Sequence, residues 1–154
     1  MTGKIDARLK ELGVEIPDAP TPAANYVPHV RAGDLVFISG QVSGRPGDLI
    51  VGKLGAGMDA EAGAAAARAC AISLIAQMKA ACGGNLDRVA RVVKLTGFVN
   101  SAPDFPDHPK VINGCSDLMV EVFGDKGRHA RSAVGVANLP FGVAVEVEAI
   151  FEID

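Results

Sequence analysis

The sequence predicts an α+β fold in which helices cover one face of a mixed β-sheet. Three observations carry this. From Asp59, "DAEAGAAAARACAISLIAQMKAACGGN" has a capping Asp, Glu61 in the first turn and Gly83-Gly84 past its end, the marks of one long helix. "RVARVVKLTGFVN", "RSAVGVANL" and "VAVEVEAIFEI" read as strands, with period-two alternation clearest in the first and last. Between the first two of these, "KVINGCSDLMVEVFG" returns to helical spacing.

The elements follow in order. "KIDARLKELG" sets Ile5, Leu9 and Leu12 at helical intervals and stops at Gly13, giving a short amphipathic helix. "PDAPTPAANYVP" is rich in proline and small residues, so extended connecting chain is expected. "HVRAGDLVFISGQVSGRPGDLIVGKLG" offers a Gly-Asp turn, the apolar strand "LVFISG" and a Gly- and Pro-rich bend before another short strand, a meander. In the long helix, Ala64 to Ala67 form a flat surface suited to close packing on the sheet, with Ile72, Ile75 and Met78 as larger anchors. Asp104 and Asp107 in the loop "SAPDFPDHP" start turns or cap the next helix, which turns Ile112, Cys115, Leu118, Met119 and Val122 inward. The last two strands join near Pro140 and Gly142. In the final strand Val143, Val145, Val147, Ala149 and Phe151 make one face, and Ala144, Glu146, Glu148, Ile150 and Glu152 the other. If helices cover one face, a second subunit is expected on the other, forming clefts where charges are half buried.

Composition narrows the function. With 154 residues, 49% of them hydrophobic, one domain spanning 1–154 is expected, residues 1–21 being an N-terminal helix and extended extension. A net charge of -3, scattered Lys and Arg, 5% aromatics and no Trp leave neither a basic stripe nor a stacking platform, so no nucleic-acid partner is expected. Three cysteines, Cys70, Cys82 and Cys115, without a C-x-x-C pair read as free thiols of a reducing compartment. The opening segment has no apolar h-region and no run reaches roughly 18 apolar residues, so a cytoplasmic address without membrane contact is expected. His29, His108 and His129 are dispersed and read as surface or loop residues, so neither metal nor cofactor is called for.

Four blocks, "NYVPHVRAGDLVFISGQV", "VVKLTGFVN", "FPDHPKVIN" and "ARSAVGVANLPFGVAVEVEAIFEI", run in the order of a known family. On them the chain, from about Pro22 to its C-terminus, resembles the RidA family, also called YjgF-type or L-PSP-like. The last block is the specific one. The resemblance implies a chorismate-mutase-like (bacillus-type) fold, two main helices on one face of a mixed sheet, assembled as a homotrimer with sites between subunits. It implies hydrolysis of enamines and imines, such as 2-aminoacrylate and 2-iminopropanoate, to a 2-keto acid and ammonia. The implied carboxylate-binding arginine is Arg131, and the glutamate that holds the water is Glu146. Tyr26 at the site mouth, Asn113, and Ser39 with Gly40 from across the subunit boundary complete the implied set. The pattern departs from the deaminase branch at Ala133, where cysteine is common, at Gly135, and at Phe141-Gly142, where a charged pair is usual. Ala133 and Phe141 thus enlarge or grease the substrate pocket. The N-terminal extension resembles that of a longer, less characterised branch.

The residues suit that chemistry. A guanidinium holds a carboxylate through two parallel hydrogen bonds. A glutamate accepts a proton from attacking water and returns one to the departing nitrogen. Each has a plainer reading: Arg131 as an ion pair with a glutamate across the sheet, Glu146 as an interface residue with Glu148 competing for its role, Tyr26 as packing, Asn113 bonding local backbone. Cys115 reads as a small buried hydrophobe. Beside the hydrolase stands a second reading, a trimer that holds a 2-keto acid without turnover. A third, endoribonuclease or translation inhibitor, is opposed by the acidic charge balance.

Overall fold

The structure, a computed structural model, describes residues 3–22 and 24–154. Met1, Thr2 and Ala23, the last within the stretch expected to be extended connecting chain, lie outside the described residues. Helix α1 (Lys4–Leu12) ends at Gly13, whose φ of 69° is the left-handed conformation a glycine adopts without a Cβ penalty. Its start is capped from far along the chain, Asp87 accepting the backbone N–H groups of Lys4 at 3.0 Å and Ile5 at 2.9 Å. These two bonds hold the Asp87 carboxyl below the usual carboxylate range.

Strands β1 (His29–Ala32) and β2 (Leu35–Val42) form a hairpin across Gly33-Asp34. β3 (Gly44–Arg45) and β4 (Asp48–Leu49) pair in a second, tight hairpin, and β5 (Lys53–Leu54) runs parallel to β6 (Gly57–Met58). Helix α2 (Ala60–Ala81) begins at Asp59, whose side chain accepts from the Ala62 N–H at 2.9 Å. Strand β7 (Val89–Asn100), helix α3 (His108–Phe123), strand β8 (Ala130–Val136) and strand β9 (Val145–Ile153) complete the main elements. Asp107 occupies the position before α3 but makes no capping bond; its carboxylate lies 3.8 Å from Lys110 Nζ.

The main sheet has the order β1-β2-β9-β7-β8, antiparallel throughout except for β7 beside β8. That parallel pair needs a crossover connection, and α3 supplies it. Val145, Val147, Ala149, Phe151 and Ile153 are buried on the helix side of β9, while Glu146, Glu148, Ile150 and Glu152 alternate to the other side. Ala144, expected on that outer side, is fully buried, because β9 starts only at Val145; ahead of it the Ala144 N–H donates to the Ile50 carbonyl. The alanine surface of α2 also differs from expectation, since it meets α3 as well as the sheet. A Cβ at Gly114 would overlap the Ala64 carbonyl, so glycine there lets the two helix backbones touch. On the open side of the sheet Phe37 lies opposite Ile150 and Val134 opposite Phe98, with Phe37 and Val134 43% and 44% exposed. Among the described residues no helix is long and apolar enough to cross a membrane.

Candidate functional site

Arg131 sits on β8 directly opposite Leu95, a buried residue of the helix side, so its side chain starts on that side too. Its Nη1 donates to Asn113 Oδ1 at 2.8 Å and to Ser116 Oγ at 3.2 Å. These acceptors are three residues apart on α3 and therefore share a helix face. Ser116 Oγ lies 2.9 Å from His129 Nε2, and His129 Nδ1 lies 2.7 Å from the Gly127 carbonyl. A carbonyl only accepts, so Nδ1 carries the proton. Burial lowers the His129 pKa against the Gly127 bond that raises it, with the Arg131 charge lowering it further, and the ring stays neutral near pH 7. Nε2 must then accept the Ser116 O–H, which leaves the serine oxygen free to accept from Arg131.

All of Arg131's partners are neutral. The ion pairs among the described residues do not include it, so the glutamate pairing weighed as its plainer role is not made within the chain. Asn113, weighed as a local backbone partner, instead bonds the arginine. Ala133 follows on the same side and packs against the core, and a Cβ at Gly135 would overlap His108 Nε2. His108 Nε2 lies 3.1 Å from Ser101 Oγ and its ring stands edge-on to Phe105. His108, at the start of α3, is thus half-buried and bonded, which corrects its reading as a surface or loop residue; His129 lies in the loop before β8, as read, and is also half-buried and bonded. Cys115 is fully buried, and burial pushes its thiol up to about 12 against the pull of Arg131, so it stays protonated and unreactive.

Glu146 belongs to a different place. Its partner Phe98 is three residues from Leu95 along β7, so Glu146 projects from the open side of the sheet. Between Ile38 and Gln41 β2 carries a bulge, in which two residues, Ser39 and Gly40, face one on β9, Glu148. Gly40 is needed for a close approach: a Cβ there would lie 2.7 Å from Glu146 Oε2. Ser39 ties the preceding segment down, its N–H donating to the Pro28 carbonyl at 2.9 Å and its hydroxyl to the Val27 carbonyl at 2.8 Å. Burial raises the Glu146 pKa above the usual carboxylate range, and the Glu148 charge raises it further.

Because β1 pairs only with residues 35–38, the edge of β2 beyond them is left open, and a cavity of about 330 Å³ lies there. Tyr26, Ser39, Gly40, Phe141 and Glu146 line it together. Phe141 does so from a φ of 60°, rare for a bulky residue, and is 73% exposed. The residues singled out in the sequence therefore form two groups: Arg131, Asn113 and Ala133 on the helix side of the edge strand, and the other five around the cavity. Two strand spacings and three residues separate the backbones of Arg131 and Glu146, about 14 Å, and they lie on opposite sides of the sheet. Within one chain they do not face each other.

Sequence reasoning missed Ser116 and His129, which hold Arg131, and Ser73 and Gln77 of α2, which line the cavity. The N-x-x-S spacing of Asn113 and Ser116 carried a signal for the first pair. Gln77 and Ser73 interrupt the apolar face of α2, which could have marked the second.

Residues 6–151 match the family described as "YjgF/chorismate_mutase-like, putative endoribonuclease". A Trypanosoma cruzi protein called TCP17 is 51% identical over 155 residues, covering 99% of this chain and 96% of its own. A 2-iminobutanoate/2-iminopropanoate deaminase of Dermatophagoides farinae is 30% identical over 143 residues, 92% of this chain and 95% of its own. The crystal structure of Atu1372 from Agrobacterium tumefaciens, a protein of unknown function, superposes with a TM-score of 0.90 at 47% identity, covering 97% of this chain and 92% of that one. With the mixed sheet, the one-sided helices and these matches over nearly its whole length, the chain belongs to the YjgF/chorismate mutase-like family, the RidA family that its sequence resembles.

Proposed function

We propose that the protein hydrolyses reactive 2-imino acids, or their enamine tautomers, to 2-keto acids and ammonia, in clefts between the subunits of a homotrimer. The observation that carries this is Arg131, a cation fixed by Asn113 and Ser116 and in no ion pair among the described residues. Such a group is prepared for a carboxylate that arrives from outside. In the cleft, Arg131 of one copy holds the substrate carboxylate and Glu146 of its neighbour holds water. The open side of β9 and its exposed Phe37 and Val134 are the surface a second copy would cover.

The steps balance without a further reactant. Glu146 takes a proton from water as the oxygen adds to the carbon of the protonated imine, forming a carbinolamine. It returns that proton to nitrogen as the carbon–nitrogen bond breaks, and the hydroxyl proton passes to the departing ammonia, which leaves as ammonium beside the keto acid. Burial, with the Glu148 charge, raises the Glu146 pKa above the usual carboxylate range, the direction that helps a carboxyl both take and return a proton. Glu146 is preferred to Glu148 because it lines the cavity while Glu148 is exposed. The deaminase named among the relatives supports the reaction class.

A second reading, binding of a 2-keto acid without turnover, is favoured by Ala133 and Phe141, which make the surroundings more apolar than the deaminase pattern. A nuclease has less to rest on, since Glu146, Glu148 and Glu152 on the open side of β9 would repel a phosphate backbone. The test couples a dehydratase that releases 2-aminoacrylate to semicarbazide trapping. Hydrolysis predicts less trapped imine as protein is added. An unchanged yield, with 2-keto acids raising the melting temperature, would leave the binding protein.

A further inference from the structure

We propose that the cavity beside Glu146 is a side-chain chamber, taking a 2-imino or 2-keto acid whose long, largely apolar side chain ends in an O–H or N–H donor for Gln77. This rests on the reading of Arg131 and Glu146 as carboxylate and water sites, and it names the substrate class that reading leaves open.

The cavity's size is the first argument. About 330 Å³ falls within the range of small-molecule sites, roughly 300–1,000 Å³, and the methyl group of 2-iminopropanoate would leave most of it unfilled. Its walls are apolar, with Pro22, Pro28, Pro46, Leu49 and Pro140 among them. The N-terminal extension closes one wall through Pro20 and Thr21, with Pro22 beside them.

Gln77 is the second argument. Ser73 and Gln77 lie four residues apart on one face of α2, 4% and 1% exposed, and both line the cavity. Gln77 Nε2 donates to the Pro20 carbonyl at 2.8 Å, which fixes the orientation of the amide. Its Oε1 is buried and has no hydrogen-bond partner among the described residues. Proteins rarely leave such an acceptor unpaired, and an apolar side chain would pack this helix face without that cost. An acceptor kept at an apolar chamber is what a ligand donor would satisfy. Because Glu146, Ser39 and Gly40 line the same cavity, a substrate reacting at Glu146 can send its side chain inward from there.

The test measures calorimetric affinities of the whole protein for four 2-keto acids: pyruvate, phenylpyruvate, 4-hydroxyphenylpyruvate and indole-3-pyruvate. Phenylpyruvate should bind about tenfold more tightly than pyruvate. At least one donor-bearing acid should bind about tenfold more tightly again, an advantage that Gln77→Met removes while the preference for a ring survives. Equal affinity for pyruvate and the ring acids, or no gain from either donor in the wild type, overturns the proposal. The imines of the same acids then separate it from the hydrolytic reading. If none is hydrolysed while the affinity order holds, hydrolysis fails and the chamber stands. If 2-iminopropanoate is hydrolysed while affinities ignore side-chain size, the chamber falls and hydrolysis stands.

Discussion

The Arg131 half of the site is braced by a relay of hydrogen bonds, whereas the Glu146 half is open and leaves an acceptor unpaired among the described residues. Arg131 is held by Asn113 and Ser116, and Ser116 by His129, which is held in turn by the Gly127 carbonyl. Around Glu146 the walls are prolines, a strained phenylalanine and a bulge, and Gln77 Oε1 has no partner among the described residues. The difference teaches that one half is built for a group that never changes, a carboxylate, and the other for the part of a ligand that varies. Changes in the first half should damage every substrate alike, and changes in the second should sort substrates by size.

The largest effect is expected at Arg131. Arg131→Ala should lower kcat/KM about a hundredfold to a thousandfold for every imine, because two charge-assisted bonds to the carboxylate are lost. Arg131→Lys should restore only part of this, since a point charge lacks the fork. Steady-state kinetics with a small and a large imine checks both. Losses that differ between the two imines would break the comparison.

Next comes Glu146→Gln, expected to lower kcat about a hundredfold or more while keto-acid affinity changes little. The same substitution should stabilise the fold at neutral pH. A raised carboxyl pKa means the folded state holds its proton more tightly than the unfolded chain, so ionised Glu146 opposes folding above its folded pKa. The gain from glutamine should be full there and vanish as pH falls to the ordinary carboxylate range. Thermal melts of both proteins across that window read the sign directly. Gly40→Ala follows in size: the added methyl lies 2.7 Å from Glu146 Oε2, and displacing that carboxylate should lower kcat about tenfold with a small change in melting temperature.

Much of the fold was legible because its signals are local. Asp59 caps α2 and Gly13 ends α1 through bonds reaching only a few residues, and the inward residues of α3 repeat at helical spacing. The site was legible only in part. Resemblance picked out Arg131 and Glu146, but the face each occupies depends on register across β8, β7 and β9, which no single strand encodes. The same holds for Asp87, which caps α1 from more than eighty residues away, and for Gln77, which reads as one polar residue in a helix until Pro20 folds over it. Ala144 went wrong for a smaller reason, alternation extended past the start of a strand.

The smallest expected effect tests whether the Arg131 half is tuned as well as rigid. Neutral His129 lets Ser116 donate to it and accept from Arg131. A protonated His129 has two donors, so its Nε2–H turns toward Ser116, and the serine proton must turn away, toward the guanidinium. The lowered pKa means the folded state resists this protonation, so stability is full above the ordinary imidazole range and declines as pH falls through it toward the folded value. Carboxylate affinity should decline over the same window. Ser116→Ala should weaken keto-acid binding about threefold to fivefold, a small loss because Asn113 still holds the guanidinium, with kcat nearly unchanged, and should flatten that pH dependence. Calorimetry with pyruvate on both sides of the window decides it. A serine variant that keeps the wild-type pH dependence would show that His129 acts on Arg131 through its charge and not through the shared hydroxyl.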